Sequence, residues 1–105
     1  MRENEYQAYL IRVLRSMFPG CIILKNDPSY IQGIPDLLIL NGDQWATLEV
    51  KPSKEARIGP NQQYYIDVLG EMSFASFISP ENEREVLDAL QRAFEAGRSA
   101  RVSKR

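Results

Sequence analysis

Histidine is absent from these 105 residues. That excludes Ser-His and Cys-His catalysis, imidazole general bases and imidazole metal ligands. Hydrolysis by this chain would have to run on carboxylates, lysine, water and a metal ion. Cysteine is nearly absent: Cys21 stands alone, so an internal disulfide is excluded and a reducing, cytoplasmic compartment is expected. Its place in the apolar run "CIILK" predicts a buried structural thiol. Long apolar runs are missing as well. None approaches the roughly 20 residues that span a bilayer, and no signal-peptide pattern opens the chain.

Strong charge of either sign is also lacking. The net charge is −1, from 13 basic and 14 acidic side chains, which does not announce a nucleic-acid binder. The distribution is less even. The segment "GRSARVSKR" holds four basic residues and no acid, so 98–105 reads as a basic, flexible C-terminal tail on an acidic body. An apolar fraction of 44% and a charged fraction of 26% belong to an ordinary globular protein. No repeat, low-complexity block or linker divides the chain, so residues 1–97 form one domain, long enough to enclose a core without staples.

Periodicity places the elements. "RENEYQAYLIRVLRSMF" puts Tyr6, Leu10, Val13, Leu14 and Met17 on one helical face, and "PG" stops it. "CIILKN" is a short strand and "DPSYIQG" a loop. "PDLLIL" and "QWATLEVK" are two strands joined by "NGD", a strong hairpin signal. A polar loop leads to a helix from about Pro60, with Tyr65, Ile66 and Leu69 at helical spacing. "SFASFIS" alternates as a strand. The last helix opens with Ser79 as N-cap and Pro80 at its first position, carries Val86, Leu87, Leu90 and Phe94 as its stripe, and ends at Gly97. The predicted order is α-β-β-β-α-β-α: an α/β (α+β) fold with a mixed sheet flanked by helices.

The central hairpin carries an oddity. Its first strand opens with Asp36 and its second closes with Glu49, Val50 and Lys51. Strand side chains alternate, so Glu49 and Lys51 share a face, and the hairpin brings Asp36 beside Glu49. Two carboxylates so close raise each other's pKa. A divalent cation removes that conflict, because magnesium takes one or two carboxylates with waters and phosphate oxygens. The Val50 carbonyl could complete the protein's share, and Lys51 could orient a water and stabilise a phosphate in flight. Pro35 fixes the strand entry, and Gly33 allows a close approach. Against this stands the plain reading that an E-x-K pair is a solvated salt bridge worth at most about 1 kcal/mol.

"GIPDLLIL" followed by "LEVK" resembles the PD-(D/E)XK nuclease superfamily, and the longer pattern is similar to its VRR-NUC branch of virus-type replication and repair nucleases, in particular compact phage-type members. The resemblance covers about residues 3–75. It implies a restriction-endonuclease-like core, an acid on the first helix, and a glutamine on the next helix, which falls on Gln62 in "IGPNQQYYIDVL"; Gly59 replaces the serine of that pattern. The helical acid is Glu3 or Glu5. Glu3 shares the inward stripe with Tyr6 and Leu10, and is preferred. The implied function is a Mg2+-dependent endodeoxyribonuclease, with Mn2+ as substitute and one or two ions. Asp36, Glu49 and the Val50 carbonyl hold the metal, Glu3 acts through water, and Lys51 and Gln62 assist. Lys54 and Arg57 would lie near backbone phosphate, and Tyr30 could stack on a base. Branched DNA such as Holliday junctions is the implied substrate, with 5′-phosphate and 3′-hydroxyl products. Cutting both strands of a symmetric junction implies a homodimer. A catalytically inactive DNA-binding or assembly module is the alternative.

Overall fold

The computed structural model describes the backbone of residues 1–103 and the side chains of residues 1–97. The elements are α1 (Glu3–Met17), β1 (Ile22–Lys25), β2 (Leu37–Asn41), β3 (Gln44–Val50), α2 (Gln62–Met72), β4 (Phe74–Ile78) and α3 (Glu83–Ser103). Their order is the predicted one. The strands form one four-stranded mixed sheet in the order β1-β2-β3-β4. The first two pairings are antiparallel and the third is parallel. The β2–β3 hairpin turns on Gly42 and Asp43 between paired Asn41 and Gln44. Gly42 takes a φ of 66°, the geometry such two-residue turns demand. A parallel partner cannot be reached by a tight turn, so α2 serves as the crossover to β4.

Register decides which side chains meet. Leu37 and Ile39 pair with Leu48 and Ala46, and these four share a face with Val50. That face joins Tyr6, Leu10 and Leu14 of α1 and Val86, Leu87, Leu90 and Phe94 of α3 in one hydrophobic cluster. Full burial of each large apolar side chain there is worth about 1.5–3 kcal/mol. Thr47 and Glu49 face the opposite side, where Gln62 at the start of α2 meets the Glu49 carboxylate.

Several boundaries differ from expectation, each for a physical reason. Val13 and Met17 lie at the rim of the core, while Phe18, just past the helix, is buried in it. Cys21 is half-buried, with its thiol 3.9 Å from the Leu14 carbonyl, because it precedes a strand at the sheet's edge. Ile22 and Leu24 of that edge strand are 58% and 46% exposed. The last helix opens at Glu83, not at Ser79. Residues 79–82 form a turn instead, in which the Asn82 side chain accepts the Ser79 N–H at 2.7 Å. Helical bonding starts with the Val86 N–H on the Asn82 carbonyl at 2.9 Å.

Gly97 does not end α3, which runs on to Ser103. A Cβ at this position would meet the amide end of the Gln44 side chain, which would have to turn away and give up its bond to the Phe94 carbonyl, now 3.0 Å long. The basic segment expected to be a flexible tail is therefore helical as far as Ser103, and residues 104–105 lie outside the described residues. Among the described residues no helix is long and apolar enough to cross a membrane.

Candidate active site

The site forms where β2 begins and β3 ends. Leu37 pairs with Leu48, so the antiparallel register carries Asp36 opposite Glu49. Asp36 does not extend the ladder with its backbone on that side. Its Oδ2 accepts the Val50 N–H at 2.8 Å instead. On the other side the Asp36 carbonyl accepts the Asn26 N–H at 2.9 Å. The Asn26 side chain donates to the Pro35 carbonyl at 2.7 Å, so one residue fixes the strand entry twice. The N–H and C=O of a strand residue point to the same edge, so the Val50 carbonyl also faces Asp36.

Glu49 is buried, only 3% exposed. Its Oε2 accepts the Gln62 Nε2–H at 3.0 Å and lies 3.8 Å from the Lys51 ammonium. Its Oε1 is buried and accepts no hydrogen bond. Burial above all, then the charge of Asp36, pushes the Glu49 carboxyl up to about 8; the charge of Glu3 adds to the rise and Lys51 opposes it. Glu3 is exposed on the helix start, and its carboxyl is raised by partial desolvation and then by the charge of Asp36, against the pull of Lys51. The acids thus feel one another across α1, β2 and β3.

The two helical acids differ in their surroundings. Glu5 accepts the Arg2 backbone N–H at 3.2 Å and the Arg2 Nε–H at 3.3 Å on the exposed side. It tidies the helix start. The charge of Asp36 raises the carboxyl of Glu3.

Lys51 is held in place by loop and helix together. Its ammonium donates to Gln62 Oε1 at 2.7 Å and to the Arg57 carbonyl at 3.0 Å. The Gly59 N–H donates to the same Gln62 oxygen at 2.7 Å. Gln62 therefore bridges the pair, with its carbonyl end on the lysine and its amide end on the glutamate, as its donor and acceptor ends require. Gly33 aligns these parts. It has a φ of +92°, and a Cβ there would fall 2.7 Å from Asn61 Cβ and 2.8 Å from the Pro60 carbonyl oxygen. The loop before Asp36 and the lead-in to Gln62 touch backbone to backbone.

Other expected residues stand apart. Lys54 and Arg57 are exposed. Lys54 donates its backbone N–H to Glu81 at 3.1 Å, and Arg57 reaches Lys51 through its carbonyl alone. Tyr30 is 84% exposed on a turn closed by its N–H on the Asp27 carbonyl at 3.1 Å. The backbone groups of Gly59 and Arg57 that hold Gln62 and Lys51 have no signature in the sequence, since any residue supplies them.

A divalent cation fits the donors present. A buried carboxylate oxygen without a partner calls for an ion or water, and Glu49 Oε1 is such an atom, on a carboxyl that feels the charge of Asp36. Among the described residues no group of three or more His, Cys, Asp or Glu side chains gathers into a cage. The two carboxylates and the Val50 carbonyl would make an incomplete oxygen set, of the kind that suits magnesium when a phosphate and waters supply the rest. No family model, no curated protein and no solved structure matches the chain.

Proposed function

We propose that the chain is a metal-dependent DNA endonuclease of the PD-(D/E)XK kind, close to the VRR-NUC pattern, that hydrolyses phosphodiester bonds. The observation that carries this reading is Glu49: a buried carboxyl against a second acid, with one oxygen unpartnered and a lysine 3.8 Å from the other. A surface salt bridge would stand in solvent. A structural ion pair would not press one acid on another, because an uncompensated buried charge costs several kcal/mol.

Asp36, Glu49 and the Val50 carbonyl would hold one or two Mg2+ or Mn2+ ions, which supply Lewis acidity to the phosphate and acidify a water. Glu3 orients a water on the α1 side. Lys51 keeps a positive charge, aimed by Gln62 and the Arg57 carbonyl, at the place where negative charge develops on the phosphate. Lys54, Arg57 and Tyr30, exposed on the flanking loops, meet the DNA beyond the cleaved bond. The acidic body suits recognition of DNA shape over tight sequence-blind binding, so branched DNA such as Holliday junctions is the proposed substrate. A two-fold homodimer would supply the two cuts, and a monomer by light scattering, with and without junction DNA, would contradict that part.

The test offers linear, flapped and four-way DNA with Mg2+ to the wild type and to Lys51→Ala. Expected are Mg2+-dependent cuts with 5′-phosphate and 3′-hydroxyl ends, and a loss on the order of 10²-fold or more in Lys51→Ala. Equal cleavage by both proteins, or none by the wild type, overturns the reading. The absence of a third close acid among the described residues favours one other reading, a non-catalytic DNA-binding module. It predicts DNA binding without cleavage in the same experiment.

A further inference from the structure

Glu3 stands in the first turn of α1, and helix ends fray because their outer backbone groups lack helical partners. Glu5 caps the backbone of that turn through Arg2, which leaves its angle to the sheet to be set by contacts with other elements. One turn further on, Tyr6 is buried and donates its phenol to Glu83 Oε1 at 2.9 Å. Tyr9 donates to Glu83 Oε2, also at 2.9 Å. The two rings stack, with centroids 6.0 Å apart and planes 19° from parallel. Glu83 is the first residue of α3. One carboxylate therefore grips two successive turns of α1, one oxygen to each.

Apolar contact alone would not do this. Leu10 and Leu14 keep α1 on the sheet, but hydrophobic attraction is non-directional and resists sliding and rotation weakly. Replacing such a polar contact by packed apolar groups often costs no stability. Its specific product is direction, at the end of the helix that bears Glu3. Residues three apart share a helix face, so fixing Tyr6 fixes the heading of Glu3. Burial and Glu83 push the Tyr6 phenol up, and the hydrogen bond to Glu83 pushes Tyr9 up, so both remain donors across the working pH range.

We propose that Glu83 is a positioning residue which, through Tyr6 and Tyr9, holds the first turn of α1 so that Glu3 faces Asp36 and Glu49 in the metal centre. This rests on the endonuclease reading. The test is a calorimetric Mn2+ titration of the full chain as wild type, Glu83→Ala, Tyr9→Phe, Glu3→Gln and Glu3→Gln/Glu83→Ala. Glu83→Ala should weaken binding about tenfold, the lower end of the loss of an outer-shell partner. Tyr9→Phe, which leaves the core untouched, should weaken it by a smaller factor and decides the matter should Glu83→Ala not fold. In the Glu3→Gln background Glu83→Ala should cost nothing more, because the two changes act on one interaction. Equal weakening in both backgrounds would make the clamp ordinary scaffold and overturn the proposal, as would unchanged binding in Tyr9→Phe and Glu83→Ala. A wild type that binds no Mn2+ overturns the metal reading itself, and the clamp's role with it.

Discussion

Replacing Glu49 by glutamine should stabilise the metal-free protein, and increasingly so as pH rises. The wild-type carboxyl goes from 4.5 in an ordinary setting to about 8 in the fold, so between those values the folded state keeps a proton that the unfolded chain releases. Stability then falls with pH by up to about 1.4 kcal/mol per unit, because the folded state binds more protons. Below 4.5 the two proteins should be alike, since a protonated Glu49 is as neutral as the glutamine that replaces it. At pH 7 the limiting difference is roughly 3 kcal/mol; water around the half-exposed Asp36 and adjustment of the Lys51 side chain screen part of it, leaving about 2 kcal/mol. For a domain of this size that is roughly 10 °C in melting temperature. Urea unfolding at pH 5, 7 and 8.5 measures it. The Glu49→Gln advantage should be small at pH 5 and largest at pH 8.5. Added Mn2+ should reverse it by stabilising the wild type, about 2.7 kcal/mol at a hundredfold excess over Kd. A difference that stays flat from pH 5 to 8.5, or a wild type that gains on the variant as pH rises, refutes the buried acid pair.

Two glycines give sharper tests of the scaffold. Gly33→Ala should cost about 2 kcal/mol in urea unfolding, from strain at positive φ and the clash with Asn61, and should weaken Mn2+ binding as Asp36 and Gln62 lose their common support. Gly97→Ala would gain about 1 kcal/mol from helix propensity alone. The Gln44 side chain would have to turn away and give up its bond to the Phe94 carbonyl, worth about 1 kcal/mol, so the single variant should show little net change, and Gly97→Ala should stabilise more in a Gln44→Ala background than in the wild type in the same assay.

Much of the fold was legible because its signals are local. Asn41-Gly42-Asp43 fixed the hairpin, and with it the register that sets Asp36 beside Glu49. The leucines of β2 and the stripe of α1 named the core. The electrostatic oddity of an acid at each end of the hairpin marks the site in the residues alone. Most of what escaped the sequence depends on contacts between distant segments. Gly97 looked like a helix stop, and the side chain it meets, Gln44, lies far back along the chain on the hairpin. Ser79 looked like an N-cap because Pro80 follows it; that miss is local, since Asn82, three residues on, accepts the Ser79 N–H in a competing turn. The partner of Tyr6 could have been sought: a phenol on an inward stripe needs an acceptor when buried. Nothing local says that Glu83 supplies it.

The central claim is that Asp36 and Glu49 share a divalent cation. A crystal grown with Mn2+ and measured for anomalous scattering tests it most directly. An anomalous peak within about 2.2 Å of oxygens from both carboxylates, with the Val50 carbonyl in its shell, is the predicted result. No peak between them, or both carboxylates turned to bulk solvent, would contradict it.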